Sequence, residues 1–533
     1  MKPKRFVIIA IVFALVFGAA CAAFGLLCPP IWNSPDETAV VFFSQAIVKA
    51  GHLWVFEPAN LFGSGNIHPR SIISIDSNLL PISFFGIIYY FAALFKAVGG
   101  AAYALGTPFA TALSSLAVFF VLRRLFDSRT ALIGQALFWA NPAVWYYTSR
   151  GLFPNMLFVD CAVIGLAILL LRPWKAFAAQ RGHALLELAI DDIVGLAFIG
   201  SALLIRPVEF IWFGPILLVL AYRARRRLKW YRIFWGILIL GVFVGMLFSI
   251  NAELYRGMLN FGYTAGAVLP GVSAPAVSAP SNLPAVVSAP RPFVLPFGFH
   301  PRLAFMNALN YLLLFVWWLP LLALFGFVRS SRSFRKQWGW TLLWTAGALV
   351  IYYGSGVFAD SSVTQWTVGS SYMRYFLPAS VLLVPFAARG VAAVSTERRW
   401  IAPIILAAFV ALSAWTIYFR SAESLLPMRA TLERYSQIKS AVLKEVDPKS
   451  IIITERSDKV FFPDRKVIIG LRDKQTLDEL TRLEIMYKVY YYGITIAESE
   501  LPAINKELHE RHFQLGRIKT FGNETLYEIT KEE

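Results

Sequence analysis

The sequence has 533 residues, of which 57% are apolar, and a formal net charge of +18. That apolar share exceeds what a soluble domain of this size can cover, so the composition predicts an integral membrane protein. The basic residues fall in short clusters between apolar segments, which argues against a nucleic-acid partner. The cysteines lie in or beside apolar segments, which argues against a disulfide framework and a metal-ligand cluster: Cys21, Cys28 and Cys161.

Apolar segments long enough to cross a bilayer recur along most of the chain and predict a polytopic α-helical protein with about eleven spans. The basic clusters between these segments mark the cytoplasmic side. We therefore expect a multi-pass protein of the plasma membrane with a cytoplasmic N-terminus. The expected spans are 6–28, 103–122, 130–148, 154–171, 188–205, 208–222, 233–251, 304–328, 340–356, 373–390 and 401–419.

The segment 79–99 is also long enough to span, and its path decides the side on which every later loop lies. If it stays on the outer face, all basic clusters share the cytoplasm, whereas a crossing would place the first cluster opposite the others. We therefore predict an interfacial helix over 79–99 within a large first outer loop, 29–102. The alternative, in which this segment spans and a weaker later segment does not, stays open.

Two further regions are expected outside the membrane. The outer-loop segment 265–292 is rich in Ala, Pro, Ser and Val, which is typical of a mobile, extended cover or of a simple disordered insertion. Residues 421–533 have the composition of a soluble domain and alternate helical with strand patterns. They predict a small extracytoplasmic α/β domain.

The first outer loop opens with the sequence NSPDE at 33–37, directly before a helical pattern. Acids in the first turn of a helix are favoured by its dipole, and Ser34 or Asp36 suits a helix cap, so a purely structural role is open. Acids kept at the bilayer edge beside a cavity usually serve a function. Asp36 and Glu37 are therefore candidate catalytic residues.

Further along the same loop, His68 and Arg70 precede the predicted interfacial helix. Arg70 suits bidentate binding of a lipid phosphate whose tail borders that helix. The alternative is a solvated loop arginine that faces lipid headgroups.

Polar residues also recur at the outer ends of later spans, where positively charged side chains oppose the positive-inside trend. The arginines suit a pocket for an anionic headgroup, although each can also reach lipid headgroups from a structural position. The candidates at these span ends are Arg150, Asn155, Asp160, Arg206, Tyr372 and Arg374.

The order of these features resembles the C-type membrane glycosyltransferases, and more narrowly the branch of dolichyl-phosphate-mannose protein mannosyltransferases and aminoarabinose transferases. The resemblance covers residues 1–420, the predicted transmembrane glycosyltransferase module. It rests on the acidic pair after the first span, the His-Pro element before the interfacial helix, Arg-Leu-Phe at 124–126, Ser-Arg at 149–150 and Arg-Tyr-Phe-Leu-Pro at 374–378.

The resemblance implies an enzyme that moves a sugar from a dolichyl- or undecaprenyl-phosphate donor to an extracytoplasmic protein, lipid or glycan. It implies Asp36, with Glu37 second, as the general base of an inverting displacement. Where the family often has an acid, this chain has Asn155, so we expect no metal and no cofactor besides the donor. The implied ligands of the donor phosphate are Arg70, Arg206 and Arg374, and the implied pocket residues are His68, Arg150, Asn155, Asp160 and Tyr372.

Two rival interpretations remain. A transporter or flippase of a lipid-linked saccharide also places charged residues near span ends, but it favours internal repeats and charges near the midplane. An oligosaccharide polymerase or ligase with a lipid-diphosphate donor has a similar sequence pattern.

Overall fold

The computed structural model describes residues 3–63, 65–82, 84–173, 190–224, 230–262, 297–358, 367–396, 398 and 400–532. The predicted loop segment 265–292 lies outside these residues. The chain divides into two compact units. The first unit contains the described residues within Met1–Leu26, Tyr103–Met246 and Ser278–Met428, and the second those within Leu27–Ala102, Leu247–Val277 and Arg429–Glu533.

Long apolar helices make up most of the first unit. Their sequences are apolar around the whole circumference, as expected of helices whose solvent is lipid or other helices. In chain order the helices that contribute to it are α1 (Pro3–Leu27), α4 (Ala102–Leu125), α5 (Ser128–Trp139), α6 (Pro142–Ser149), α7 (Pro154–Leu171), α8 (Ile190–Ile205), α9 (Phe210–Ala224), α10 (Trp230–Tyr255), α11 (Pro301–Ala308), α12 (Trp318–Arg329), the one-turn α13 (Arg332–Phe334), α14 (Trp340–Gly354), α15 (Ser371–Val394) and α16 (Ile401–Tyr418). The more polar helix α17 (Leu425–Glu445) begins in the first unit and belongs mostly to the second.

Within the described residues, every predicted span contains helical structure, but some spans are broken. The span predicted over 130–148 ends at Trp139 and restarts at Pro142, because Asn141 caps the second helix through the amide of Ala143 and proline cannot continue the first. The span predicted over 304–328 is likewise two segments that meet at 90°. Each of these predicted spans therefore consists of two helical segments.

Length and composition alone identify six helices in the described part of the chain that suffice to cross a membrane, or up to eight if each bent pair is one span. The chain is therefore a membrane protein with several apolar helices. The figure of about eleven spans stays a prediction.

The first loop in the second unit begins with helix α2 (Pro35–Ala50) and a three-stranded antiparallel sheet. Its strands are β1 (Val55–Phe56), β2 (Ile72–Ile75) and β3 (Asn78–Pro81), in the order β1-β3-β2. Asp76 and Ser77 both have positive φ and form the two-residue turn of the β2–β3 hairpin.

This hairpin corrects the helix predicted over 79–99. Residues 79–81 belong to β3, where their backbone groups pair with β1 and β2. The helix α3 therefore spans only Phe85–Val98.

The remainder of the second unit contains a five-stranded mixed sheet. Strand β4 pairs in parallel with β5 on one side and with β6 on the other. Strand β8 pairs antiparallel with β6 and with β7. Parallel neighbours need crossover connections, and short helices supply them. The elements are β4 (Ile451–Thr454), α18 (Asp458–Phe461), β5 (Lys466–Ile469), α19 (Lys474–Leu483), β6 (Val489–Ile494), α20 (Leu501–His509), β7 (Phe513–Phe521) and β8 (Glu524–Lys531), with sheet order β5-β4-β6-β8-β7.

The hydrophobic core beneath this sheet is shared with the first loop. Ala59 and Ile67 are 0% and 2% exposed and belong to the same cluster as Ile451, Ile453 and Leu480. Apolar burial of this kind is the main stabilising contribution to a fold. The first loop and the C-terminal residues are therefore two parts of one folded unit.

Candidate functional site

Asp36 and Glu37 lie in the first turn of α2, where the sequence predicted a helix cap. Ser34 is the cap residue: its hydroxyl accepts from the amide of Asp36 at 3.3 Å, and its own amide donates to Glu37 Oε2 at 3.0 Å. This reciprocal arrangement is a capping box. Pro35 follows the cap residue at the first helical position, where proline is favoured. Glu37 is 4% exposed and its carboxylate completes the cap.

Asp36 makes a different contact. Its Oδ1 accepts a hydrogen bond from the Ser71 hydroxyl at 2.6 Å, and its side chain is half-buried. It borders a narrow cleft of about 10 Å³, roughly the space of one water molecule. The other cleft residues are Ala39, Val40, Ser71, Ile82, Phe84 and Ile88, so a single carboxylate faces a largely apolar wall.

Arg70, a predicted phosphate ligand, is paired with a carboxylate of its own unit. Asp458 accepts from Arg70 Nη2 at 2.6 Å, from Nε at 3.1 Å and from the Arg70 backbone amide at 2.9 Å. Asp458 is 0% exposed. The Arg70 charge is therefore balanced within the protein.

His68 lies beside this pair and is buried. Its Nδ1 is 3.0 Å from the Pro69 carbonyl oxygen, which fixes the ring with Nδ1–H as donor. Burial lowers the pKa of His68 below its ordinary value, and the neighbouring Asp458 only partly opposes the shift. The neutral imidazole is thus the favoured form at neutral pH.

Arg206, in the first unit, is also paired internally. Its Nε lies 2.7 Å from Glu209 Oε1, and both side chains are nearly inaccessible, at 7% and 1% exposure. Tyr353 donates to the same carboxylate oxygen at 2.6 Å and accepts from Arg206 Nη2 at 3.2 Å. Trp212 Nε1 also donates to Glu209. Four side chains therefore form a buried polar network in which the charge of Arg206 is paired with that of Glu209.

Arg374 has mostly aromatic and hydroxyl surroundings among its described contacts. Its guanidinium carbon lies 5.1 Å from the ring centre of Tyr375 and 5.4 Å from that of Phe153, and its Nη2 donates to Ser371 Oγ at 2.8 Å. The guanidinium of Arg150 lies 4.9 Å from the same Phe153 ring. Two cations thus share one ring.

The three remaining predicted pocket residues have structural contacts in the first unit. Asn155 Nδ2 donates to the Arg374 carbonyl at 3.2 Å, and the Tyr372 hydroxyl donates to the Gly356 carbonyl at 2.6 Å. Asp160 is 0% exposed and accepts from Thr111 Oγ1 at 2.7 Å. Asn155 therefore contacts the backbone of Arg374.

The predicted residues are thus grouped within each unit. Asp36, Glu37, His68 and Arg70 belong to the second unit, and the other candidates belong to the first. Sequence reasoning missed Ser71 and Asp458 because their partners are distant in sequence. It missed Phe153 because an aromatic side chain in an apolar segment looks like ordinary core. In the described part of the chain, no three His, Cys, Asp or Glu side chains gather as metal ligands.

No protein-family model and no curated protein sequence matches the chain. Solved structures do match it. ArnT from Cupriavidus metallidurans bound to undecaprenyl phosphate has a TM-score of 0.54 at 12% identity, over 99% of this chain and 98% of that chain. The same protein in the apo state gives 0.53 at 14% identity, with the same coverage of 99% and 98%.

The oligosaccharyltransferase from Archaeoglobus fulgidus, in complex with zinc and sulfate, has a TM-score of 0.45 at 13% identity, over 99% of this chain and 73% of that chain. ArnT is an aminoarabinose transferase of the C-type glycosyltransferase fold, and its likeness extends over nearly the whole of both chains. The resemblance predicted from the sequence is therefore confirmed at the level of the fold: this chain has the C-type membrane glycosyltransferase fold.

Proposed function

We propose that this protein is a membrane glycosyltransferase that transfers a sugar from a polyprenyl-phosphate donor to an extracytoplasmic acceptor. The observation that carries the proposal is the position of Asp36, a half-buried carboxylate held by Ser71 at the edge of an apolar cleft. A half-buried carboxylate suits a reaction whose acceptor must lose a proton. The shared fold with a protein that binds undecaprenyl phosphate supports the choice of donor.

Asp36, rather than Glu37, is the proposed general base. The Glu37 carboxylate is used in the capping box, and withdrawing it would leave the Ser34 amide without that acceptor. Asp36 keeps its carboxylate beside the cleft, and Ser71 is the hydroxyl that orients it.

The proposed donor-phosphate ligands are Arg374, which the sequence also predicted, and Arg150. Their guanidinium groups lie at 5.4 Å and 4.9 Å from the buried Phe153 ring, so two arginines lie close to one aromatic side chain. Arg70 and Arg206 are each paired with a carboxylate, so binding a phosphate there would compete with an existing ion pair. We therefore reassign these two arginines to structural roles.

The proposed reaction is a single displacement. The acceptor oxygen forms a bond to the anomeric carbon while the bond from that carbon to the phosphate oxygen breaks, and the configuration inverts. The acceptor proton passes to Asp36, and the electron pair leaves with the polyprenyl phosphate. Cationic side chains stabilise the charge on the leaving phosphate, so we expect transfer without a metal ion.

The proposal also includes the finer points of the topology. We place the protein in the plasma membrane with about eleven spans and a cytoplasmic N-terminus. The first loop and residues 421–533 then belong to the extracytoplasmic face, where the acceptor would be a glycan, a lipid or a protein.

The test uses purified full-length protein in lipid nanodiscs with a panel of undecaprenyl-phosphate sugars and a crude cell-envelope acceptor fraction. We expect radiolabelled sugar to reach the acceptor, and Asp36→Asn to lower the rate by roughly 100-fold or more. The control is Asp464→Asn, an exposed acid paired with Lys439 at 2.5 Å, which should leave transfer unchanged. Normal turnover in Asp36→Asn would refute the base assignment.

A binding measurement separates the enzyme from the transporter alternative. Undecaprenyl phosphate should bind the wild-type protein and bind less tightly to Arg374→Ala, as judged by native mass spectrometry. Movement of the labelled donor across the bilayer of sealed proteoliposomes, without any sugar transfer, would favour a flippase instead.

A further inference from the structure

The short helix α18 (Asp458–Phe461) contacts the first loop on both sides of Asp36 within the second unit. Its first two residues, Asp458 and Lys459, contact two different segments of that loop. These contacts join residues far apart in the sequence, at separations of 388 and 426 positions. They connect the C-terminal residues to the proposed base.

Asp458 anchors the backbone next to Ser71, the residue whose hydroxyl donates a hydrogen bond to Asp36. It accepts from the Arg70 backbone amide at 2.9 Å as well as from the guanidinium group, so the peptide group that joins Pro69 to Arg70, one residue before Ser71, is anchored directly. Ser71 has a φ of 63°, in the left-handed region that side-chain-bearing residues rarely adopt. This conformation needs support from its surroundings, and it aims the Ser71 hydroxyl at Asp36, 2.6 Å away.

Lys459 fixes the other segment. Its Nζ donates to the Asn33 carbonyl oxygen at 2.5 Å and to Asn33 Oδ1 at 3.1 Å. Asn33 directly precedes Ser34, the residue that caps α2, and Asp36 follows in the first turn. The ammonium group of Lys459 therefore holds the chain where it enters the helix that carries Asp36.

Apolar packing supports the same arrangement. The rings of Phe42, on α2, and Phe462, next to α18, are 4.7 Å apart in an edge-to-face geometry. The first-loop residues Ala59 and Ile67 are part of the core beneath the C-terminal sheet. Aromatic and core contacts thus limit the movement of α18 relative to α2 within this unit.

We propose that Asp458 and Lys459 are positioning residues that hold the Asp36 carboxylate and its Ser71 partner in their reactive geometry. The C-terminal segment then contributes to the chemistry without touching the substrate. This inference rests on the proposed function, because it gives the two residues a role in transfer by Asp36. Misplacement of a catalytic group by about 1 Å is enough to lower a rate by roughly 100-fold.

The experiment compares Asp458→Asn and Lys459→Met with Lys466→Met in the full-length protein. Lys466 is a matched control because it pairs with Glu57 of the first loop at 2.5 Å, away from the Asp36 hydrogen bonds. We expect the two positioning variants to lower kcat by roughly 10- to 100-fold with little change in the donor KM, and Lys466→Met to leave kcat unchanged. Lys459→Arg, which keeps the charge and the donors, should recover most of the rate.

Amide hydrogen exchange gives a second readout that does not depend on turnover. Exchange in peptides covering 33–37 and 68–73 should rise in Asp458→Asn and Lys459→Met, while peptides of the first unit keep their wild-type protection. If the wild type transfers sugar and Asp458→Asn is as fast as Lys466→Met, the positioning role is refuted and the proposed function stands. If the wild type transfers nothing, the proposed function fails, and unaltered exchange in both peptides would overturn the positioning role separately.

Discussion

The two internal arginine–carboxylate pairs, Arg206–Glu209 and Arg70–Asp458, were both predicted to offer a cation to a phosphate, yet each already has an anion. In the first pair the partners are three residues apart and almost completely buried. In the second they are 388 residues apart, and the Arg70 side chain keeps 25% of its surface exposed. The comparison shows that an arginine at the end of a loop or helix predicts an anionic partner. That partner can be a carboxylate of the protein as readily as a ligand.

The two pairs also differ in what they hold in place. Glu209 accepts hydrogen bonds from Tyr353 and Trp212 and pairs with Arg206, so its network fixes a local bend between two helices. Asp458 receives a backbone hydrogen bond from the first loop, so its pair fixes the fold of a distant segment. We therefore expect the first pair to matter mainly for stability and the second for geometry at Asp36.

The largest expected effect comes from breaking the buried pair. Glu209→Gln removes the charge that balances Arg206 and should lower the free energy of unfolding by about 3–5 kcal/mol, because a buried cation is left uncompensated. The measurement is thermal or denaturant unfolding of the purified protein in detergent. Arg206→Met combined with Glu209→Leu should recover part of the loss, and a full loss in that double variant would contradict the explanation.

A smaller effect is expected at the second pair. Arg70→Lys keeps the positive charge and the backbone hydrogen bond to Asp458 but loses the forked geometry, so stability should fall by about 1–2 kcal/mol. The same unfolding measurement compares the loss of stability in Arg70→Lys with the loss in Glu209→Gln. A loss at Arg70 equal to the loss at Glu209 would show that burial does not separate the two pairs.

The smallest expected effect is a pH dependence from His68, beside the second pair. Since burial lowers the pKa of His68 from 6.5, the unfolded chain binds the extra proton more readily. The contribution of the neutral His68 ring to the free energy of unfolding is therefore fully present above about pH 6.5 and is lost as the pH falls below that value. The loss is at most about 1.4 kcal/mol per pH unit.

Unfolding of wild type and His68→Asn between pH 7.5 and roughly pH 5 checks this prediction. The variant should show a flatter pH profile than the wild type. Parallel profiles would assign the pH dependence to other groups.

Local features were predictable from the sequence because their partners are close along the chain. The cap formed by Ser34 and Glu37 joins residues three apart, and the apolar helices follow from hydropathy. The break at Asn141 and Pro142 also has a local signal, a capping residue before a proline, which the hydropathy of the segment concealed.

The other features depend on contacts that no local pattern encodes. Ser71 and Asp36 are 35 residues apart, and Asp458, which accepts from the amide of the residue before Ser71, lies much farther along the chain. The strand at Asn78–Pro81 was assigned to a helix because its apolar residues continue into α3. The turn residues Asp76 and Ser77 were the local sequence signal for a hairpin.

The shared core has a consequence for biosynthesis. Ala59 and Ile67 are made early, but the core residues that cover them, from Ile451 to Ile529, are made last. A ribosome therefore exposes the first loop long before its apolar residues can be buried, and the loop closes only after the rest of the chain has been inserted. A polypeptide that stops before residue 451 would have its helices in the membrane but no finished surface around Asp36.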